Sequence, residues 1–195
     1  MTKTVPLGDD RRAAIADAAI RLVATRGLRG LTHRAVDAEA GLPPGSTSYY
    51  LRTRDALLTA CVNRMLDHDA AAVGEMPPDA DPESLLVGMV VDLVRHRHDD
   101  LVARYELSLE AGRRPALREV ITTSGRQLRE SLGELLAATG IADAETAAWP
   151  VASMLDGLMY DRVAGAGMSL SDAEFEAGVR RSVKAVLSGL LYHPR

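Results

Sequence analysis

A chain of 195 residues with one Cys, one Trp, one Phe and a formal charge of -4 excludes several classes at once. A lone thiol builds no internal disulfide, no apolar run approaches the ~20 residues of a membrane span, and no charged-then-apolar leader precedes the first amphipathic segment, so the expectation is a cytoplasmic protein. With Leu, Ala and Val far outnumbering aromatics, the cores must be aliphatic and closely spaced, which suits helix packing better than sheets.

The charge is unevenly placed. Residues 1–60 hold nine Lys/Arg against six acids, a balance of +3, which leaves -7 for the rest. A local basic cluster is what a polyanion contact needs, whatever the whole-chain sign.

Residues 1–8 contain Pro6 and Gly8 without periodicity and read as an arm. From Asp9, Ile15, Ala18, Ala19, Leu22 and Val23 recur at steps of three and four, the mark of one helix face, which Gly27 ends. A second helix of about two turns follows, with Thr32 as its cap, Ala35, Val36 and Ala40 facing inward and Gly41 as a left-handed stop. Beyond Gly41-Leu42-Pro43, the stretch Pro44 to Leu51 is a third short helix with Ser46, Thr47, Ser48, Tyr49 and Tyr50 in a row. Thr53 caps a longer helix through Leu57, Leu58, Val62, Met65 and Leu66 towards Val73.

Pro77-Pro78 is the clearest interhelix break. After it, helical spacing predicts segments from Pro82 to about His98, about Asp99 to Ala111, Ala116 to about Thr139, about Asp143 to Ala164, and Ser171 to about Leu191. Pro150 requires either a late start or a kink in the fourth of these. The fold class is all-α, with about nine helices.

Two short helices joined by a glycine-led turn make a helix-turn-helix by spacing. Gly41 supplies the turn, and the second helix then offers Pro44, Gly45, Ser46, Thr47, Tyr49 and Tyr50 to a major groove about 12 Å wide. Arg54 follows at a position to pair with a phosphate. His33 and Arg34 read either as ordinary surface residues or as base or phosphate contacts.

Thr32 through Leu58 resembles the DNA-binding signature of the tetracycline-repressor (TetR) family of bacterial regulators. Thr32, Ala40-Gly41-Leu42, Gly45-Ser46, Tyr49-Tyr50, Leu51 and Thr53-Arg54-Asp55-Ala56-Leu57 fill that signature's places. Leu51 stands where phenylalanine is usual, and Ser48 where a tyrosine often provides a phosphate contact. The resemblance implies a helix-turn-helix domain over 9–58 and a helical ligand-binding and dimerisation domain over 59–195. It also implies a homodimer formed by the last two helices, a near-palindromic operator in double-stranded DNA read by heads about 34 to 36 Å apart, and release by a small-molecule effector.

The candidates for the dimer interface are Val151, Leu155, Gly157 and Leu158 with Val183, Val186, Leu187 and Leu190. Met89, Tyr105, Glu106, Met154 and Tyr160 are either lining of an effector cavity or ordinary core. Cys61, among Leu57, Leu58 and Met65, reads as a buried inert thiol. His96 and His98 point about 200° apart on a helix and make poor joint metal ligands. No metal or cofactor is expected, and no phosphate loop, metalloprotease motif or nucleophile elbow suggests an enzyme. The rival reading is a helical small-molecule-binding or protein-interaction module without DNA affinity.

Overall fold

The computed structural model describes residues 8–74 and 81–191. Among them are nine α-helices and no strand: α1 (Gly8–Gly30), α2 (His33–Glu39), α3 (Ser46–Tyr50), α4 (Arg54–Gly74), α5 (Pro82–His96), α6 (His98–Ala111), α7 (Pro115–Ala138), α8 (Ala144–Ala164) and α9 (Asp172–Leu191). The Pro77-Pro78 break, the far end of the sequence and residues 1–7 of the arm lie outside the described residues.

The punctuation follows local chemistry. Gly27, at φ 64° and ψ 179°, interrupts α1 before its last turn. The Thr32 hydroxyl accepts the Ala35 N–H at 3.1 Å, and the Thr53 hydroxyl accepts that of Ala56 at 3.1 Å, so both threonines cap as expected. Asp81 does the same for α5 through the Ser84 N–H at 3.0 Å, with Pro82 behind it. Of the late start or kink that Pro150 allows, the late start does not occur: α8 begins at Ala144 and runs through the proline. Pro150 and Thr146, whose carbonyl loses its i+4 partner, are both exposed, so water can satisfy that oxygen.

The chain falls into two compact units. The first comprises residues up to Ala70 together with Val102–Ile121; the second comprises Ala71–Leu101 and the chain from Thr122 onward. A single cut after residue 58 therefore does not separate the packing: one core joins Ile15, Leu22 and Val23 of α1, Val36 of α2, Leu57, Leu58, Cys61 and Met65 of α4, and Leu107 and Leu117 further on. Half-buried ion pairs brace it. Arg64 grips Asp17 with two bonds of 2.6 and 3.0 Å, tying α4 to α1, and Arg104 meets Asp69 at 2.7 Å, tying α6 to α4. Cys61 is fully buried in this core, and burial pushes its thiol up to about 12, so the side chain packs as a small apolar group.

In the second unit α5, α8 and α9 pack on one another. Their buried faces carry Leu86, Val90 and Leu93, then Ala148, Val151, Leu155 and Met159, then Phe175, Val179 and Val183. Arg95 fastens α5 to α9 through Glu176 at 3.1 Å.

Candidate nucleic-acid interface

A helix of five residues cannot hold its own shape, because nucleation costs more than one turn of hydrogen bonds returns. The short helix α3 is instead held by side chains from two neighbouring helices. Gly45 precedes it in the left-handed region at φ 90° and has no side chain with which to cap it. Asp37 of α2 supplies the missing cap: Oδ2 accepts the Gly45 N–H at 2.7 Å, and Oδ1 accepts both the Thr47 N–H at 2.7 Å and the Thr47 hydroxyl at 2.6 Å.

The far end of α3 is tied as well. Arg12 of α1 donates to the Tyr50 carbonyl at 3.1 Å, with its guanidinium 5.7 Å from the Tyr50 ring centre. The His33 Nε2–H donates to the Leu51 carbonyl at 2.7 Å. Gly41, at φ 63°, turns the chain between α2 and α3 as expected, and the Leu42 N–H closes the end of α2 on the Asp37 carbonyl at 2.9 Å.

Asp37 is only 4% exposed. Burial by itself would raise its pKa, but the Thr47 hydroxyl, the Thr47 and Gly45 amides and the charge of nearby His33 together bring it below the ordinary carboxylate range. A carboxylate whose pKa is depressed by folding adds stability above its unfolded pKa, and that contribution is lost as pH falls through the folded value. Asp37→Asn is therefore expected to cost about 1 to 3 kcal/mol at pH 7. Urea melts of the two forms should converge as pH is lowered below about 4, and a gap that stays constant down to pH 3 would contradict the ionised cap.

The side chains expected to meet DNA divide into three groups. Thr32, Arg34, Pro44, Gly45 and Tyr49 are exposed, with Tyr49 at 74%. His33, Ser46 and Tyr50 are half-buried; the Ser46 hydroxyl donates to the Pro43 carbonyl at 2.7 Å, and the Tyr50 ring meets the Tyr49 ring edge-on at 5.0 Å.

Thr47 and Arg54 point inward, which corrects the expectation for both. Thr47 is fully buried with its hydroxyl spent on Asp37, so it has nothing to offer a base. Arg54 donates to the Leu31 carbonyl at 2.7 Å and to the Leu28 carbonyl, so its guanidinium holds the corner between α1 and α2. On α3 the outward residues are Ser48 and Tyr49.

Sequence reasoning gave no role to Asp37 or Arg12, and noted Ser48 only as a departure from the family signature. For Asp37 a signal existed: an acid inside the inward stripe Ala35, Val36, Ala40, followed by a helix that starts on glycine.

The expected effector residues fall in both units. Tyr105 and Glu106 belong to the first unit, and Met89, Met154 and Tyr160 to the second. Tyr160 is 49% exposed on α8. One cleft of about 560 Å³ in the second unit is lined by Val94, Arg95, His96, His98, Arg162, Val163 and Asp172, and by none of the five.

Of the expected dimer residues, Val151, Leu155 and Val183 are buried in the chain's own core, Leu158, Val186, Leu187 and Leu190 are half-buried, and Gly157 is exposed. The first three therefore already have partners within the chain, while the other five remain accessible. The stripe that α8 leaves open runs through Trp149, Ser153, Gly157 and Tyr160, at helical steps of four, four and three.

The model for the tetracycline-repressor-like C-terminal domain matches residues 77–190. The chain belongs to the TetR family. TetR-family proteins are non-enzymatic DNA-binding transcriptional regulators, and this TetR-family regulator has full-length structural relatives. It is 34% identical to a TetR-family member from Streptomyces coelicolor A3, with a TM-score of 0.71 over 91% of this chain and 98% of that one. It is 33% identical to the multidrug binding protein EbrR in complex with imidazole, with a TM-score of 0.68 over 98% of each. A curated relative, the HTH-type transcriptional regulator BetI of Rhizobium meliloti, is 28% identical over 76% of this chain and 75% of its own. No helix among the described residues is long and apolar enough to cross a membrane.

Proposed function

We propose that the chain is a cytoplasmic, homodimeric repressor whose two α3 helices read successive major grooves of a near-palindromic operator. The observation that carries this is the clamp on α3. A five-residue helix fixed at one end by Asp37 and at the other by Arg12 and His33 is costly to hold in place unless its outward face has work to do. That face presents Ser48 and Tyr49 beside Pro44 and Gly45, whose lack of bulk allows close backbone approach to a duplex, and Arg34 and Arg52 flank it at the surface. Residues 9–58 form the reading head, while much of the chain beyond residue 58 receives the effector and pairs with the second subunit.

Release follows if an effector binds more tightly to the form whose heads are wrongly spaced for DNA, since only differential affinity can move that equilibrium. Relatives about one third identical to this chain are EbrR complexes with imidazole, ethidium and proflavin. Planar nitrogen heterocycles, the last two of them cationic, are therefore the first class to test, and the -7 balance beyond residue 60 suits a cation.

The test is enrichment of duplexes from a randomised pool at two salt concentrations, followed by substitution. Ser48→Ala and Tyr49→Ala should change which bases are preferred, with effects of about 1 to 3 kcal/mol at the positions read. Arg34→Ala and Arg52→Ala should weaken all duplexes alike and reduce the salt slope by about one each. If no duplex is enriched by the parent chain at moderate salt, the reading as a DNA-binding repressor falls and the non-DNA-binding module takes its place.

A further inference from the structure

The outward face of α3 touches DNA in the reading above, but what sets its angle lies behind it. We propose that Asp37 and Thr47 are positioning residues for base discrimination: the carboxylate fixes the pitch of α3 on α2, so it controls which duplex fits without itself reaching the duplex. The inference rests on the DNA-binding reading and adds to it a source of specificity that no outward residue supplies.

Three features of the geometry support it. First, Asp37 makes three bonds of 2.6 to 2.7 Å, all to groups of the Gly45–Thr47 segment, so the carboxylate is committed to α3. Second, the bonds are spread over two backbone amides and one hydroxyl. A single bond leaves a helix free to pivot about it, whereas three contacts to two residues of its first turn, with Arg12 and His33 holding the far end, fix both its tilt and its rotation about its own axis. Third, both groups are sealed from water, with Asp37 4% and Thr47 0% exposed, so no solvent molecule can stand in for a lost partner without rearrangement.

The arrangement also decides what α3 does not do. The Gly45 and Thr47 amides, which at another helix start would be free to hold a phosphate, are already saturated by a buried anion. Backbone affinity must then come from arginines elsewhere on the head, so phosphate binding and base reading are carried by separate groups. Disturbing the clamp should accordingly damage discrimination and spare the electrostatic part of binding.

Three variants of the full chain test this: Asp37→Asn, Thr47→Val and Thr47→Ser. The probe is the duplex that the parent enriches from a randomised pool, compared with a scrambled duplex of the same length, by fluorescence anisotropy at several salt concentrations. Asp37→Asn is expected to lose about tenfold in affinity for the enriched duplex, with affinity for the scrambled one within about twofold of the parent and the salt slope unchanged. Thr47→Val, which preserves volume and removes only the hydroxyl, should show the same pattern in weaker form. Thr47→Ser keeps the hydroxyl and should match the parent.

Helical circular dichroism equal to the parent at the assay temperature excludes unfolding as the cause, and if Asp37→Asn fails this check, Thr47→Val against Thr47→Ser decides. Retention of full discrimination by Asp37→Asn and Thr47→Val overturns the proposal while leaving DNA binding intact. So does an equal loss on both duplexes. A parent chain that enriches no duplex overturns the proposal together with the reading it rests on.

Discussion

Replacing Arg54 by alanine is expected to lower the unfolding free energy by roughly 2 to 4 kcal/mol and to leave the salt slope of duplex binding unchanged. The side chain is half-buried and donates to two carbonyls, of Leu28 and Leu31, in the link between the Gly27 break and the Thr32 cap. Removing it takes the charged donor from both oxygens at the corner where α1 turns into α2, leaving the Leu28 carbonyl with only the Leu31 N–H at 3.4 Å, and each charge-assisted bond contributes on the order of 1.5 to 3 kcal/mol. Affinity for every duplex should fall with the loss of that corner, but the number of ions released should not, since the guanidinium was not on a phosphate. Arg54→Lys should recover only part of the stability, because an ammonium lacks the planar fork that spans two acceptors. Urea melts combined with binding at several salt concentrations separate the alternatives: an unaltered melt with a slope reduced by about one would make Arg54 a phosphate contact after all.

The contrast between Arg54 and its neighbours explains what the sequence made legible. Boundaries were readable wherever a cap is a local event. Thr32, Gly41 and Thr53 each act within three residues of themselves, and the structure places them at helix ends. The direction of a side chain on α3 was not readable, because five residues span less than two turns and carry no periodicity; Thr47 faces inward because Asp37, ten positions earlier, draws it there. Arg54 is the same case, since its acceptors lie 23 and 26 residues back in the chain.

Apolar spacing has a related blind spot. The faces of α8 and α9 were correctly read as apolar, but a stripe does not state whether its partner is a neighbouring helix or a second chain. Val151, Leu155 and Val183 satisfy themselves within one subunit. The open stripe on α8 is instead mixed, with two large aromatics separated by Ser153 and Gly157, and a search for aliphatic periodicity passes over such a pattern. The effector residues were chosen by type alone, and type does not say which of the two compact units a side chain belongs to.

The open stripe leads to the second large effect. If the proposed homodimer forms through this stripe, Gly157→Arg is expected to leave a monomer with unchanged helical content and to weaken binding to the proposed operator by about a hundredfold or more. A side chain at this position meets nothing of its own chain within 4 Å, so the subunit accommodates it, and removing glycine from an exposed helix interior favours α8 by up to about 1 kcal/mol. Across a close two-fold contact the same arginine would meet its own copy between the exposed rings of Trp149 and Tyr160, where its bulk and like charge oppose the approach of a second chain. Two heads that no longer share a subunit contact bind their half-sites independently, which removes the gain from linkage while leaving each half-site contact intact. Sedimentation and anisotropy on full and half operators measure the two parts, with Ala138→Arg, exposed at the end of α7, as the control. A Gly157→Arg chain that sediments as a dimer and retains parental affinity would move the subunit contact away from this face of α8.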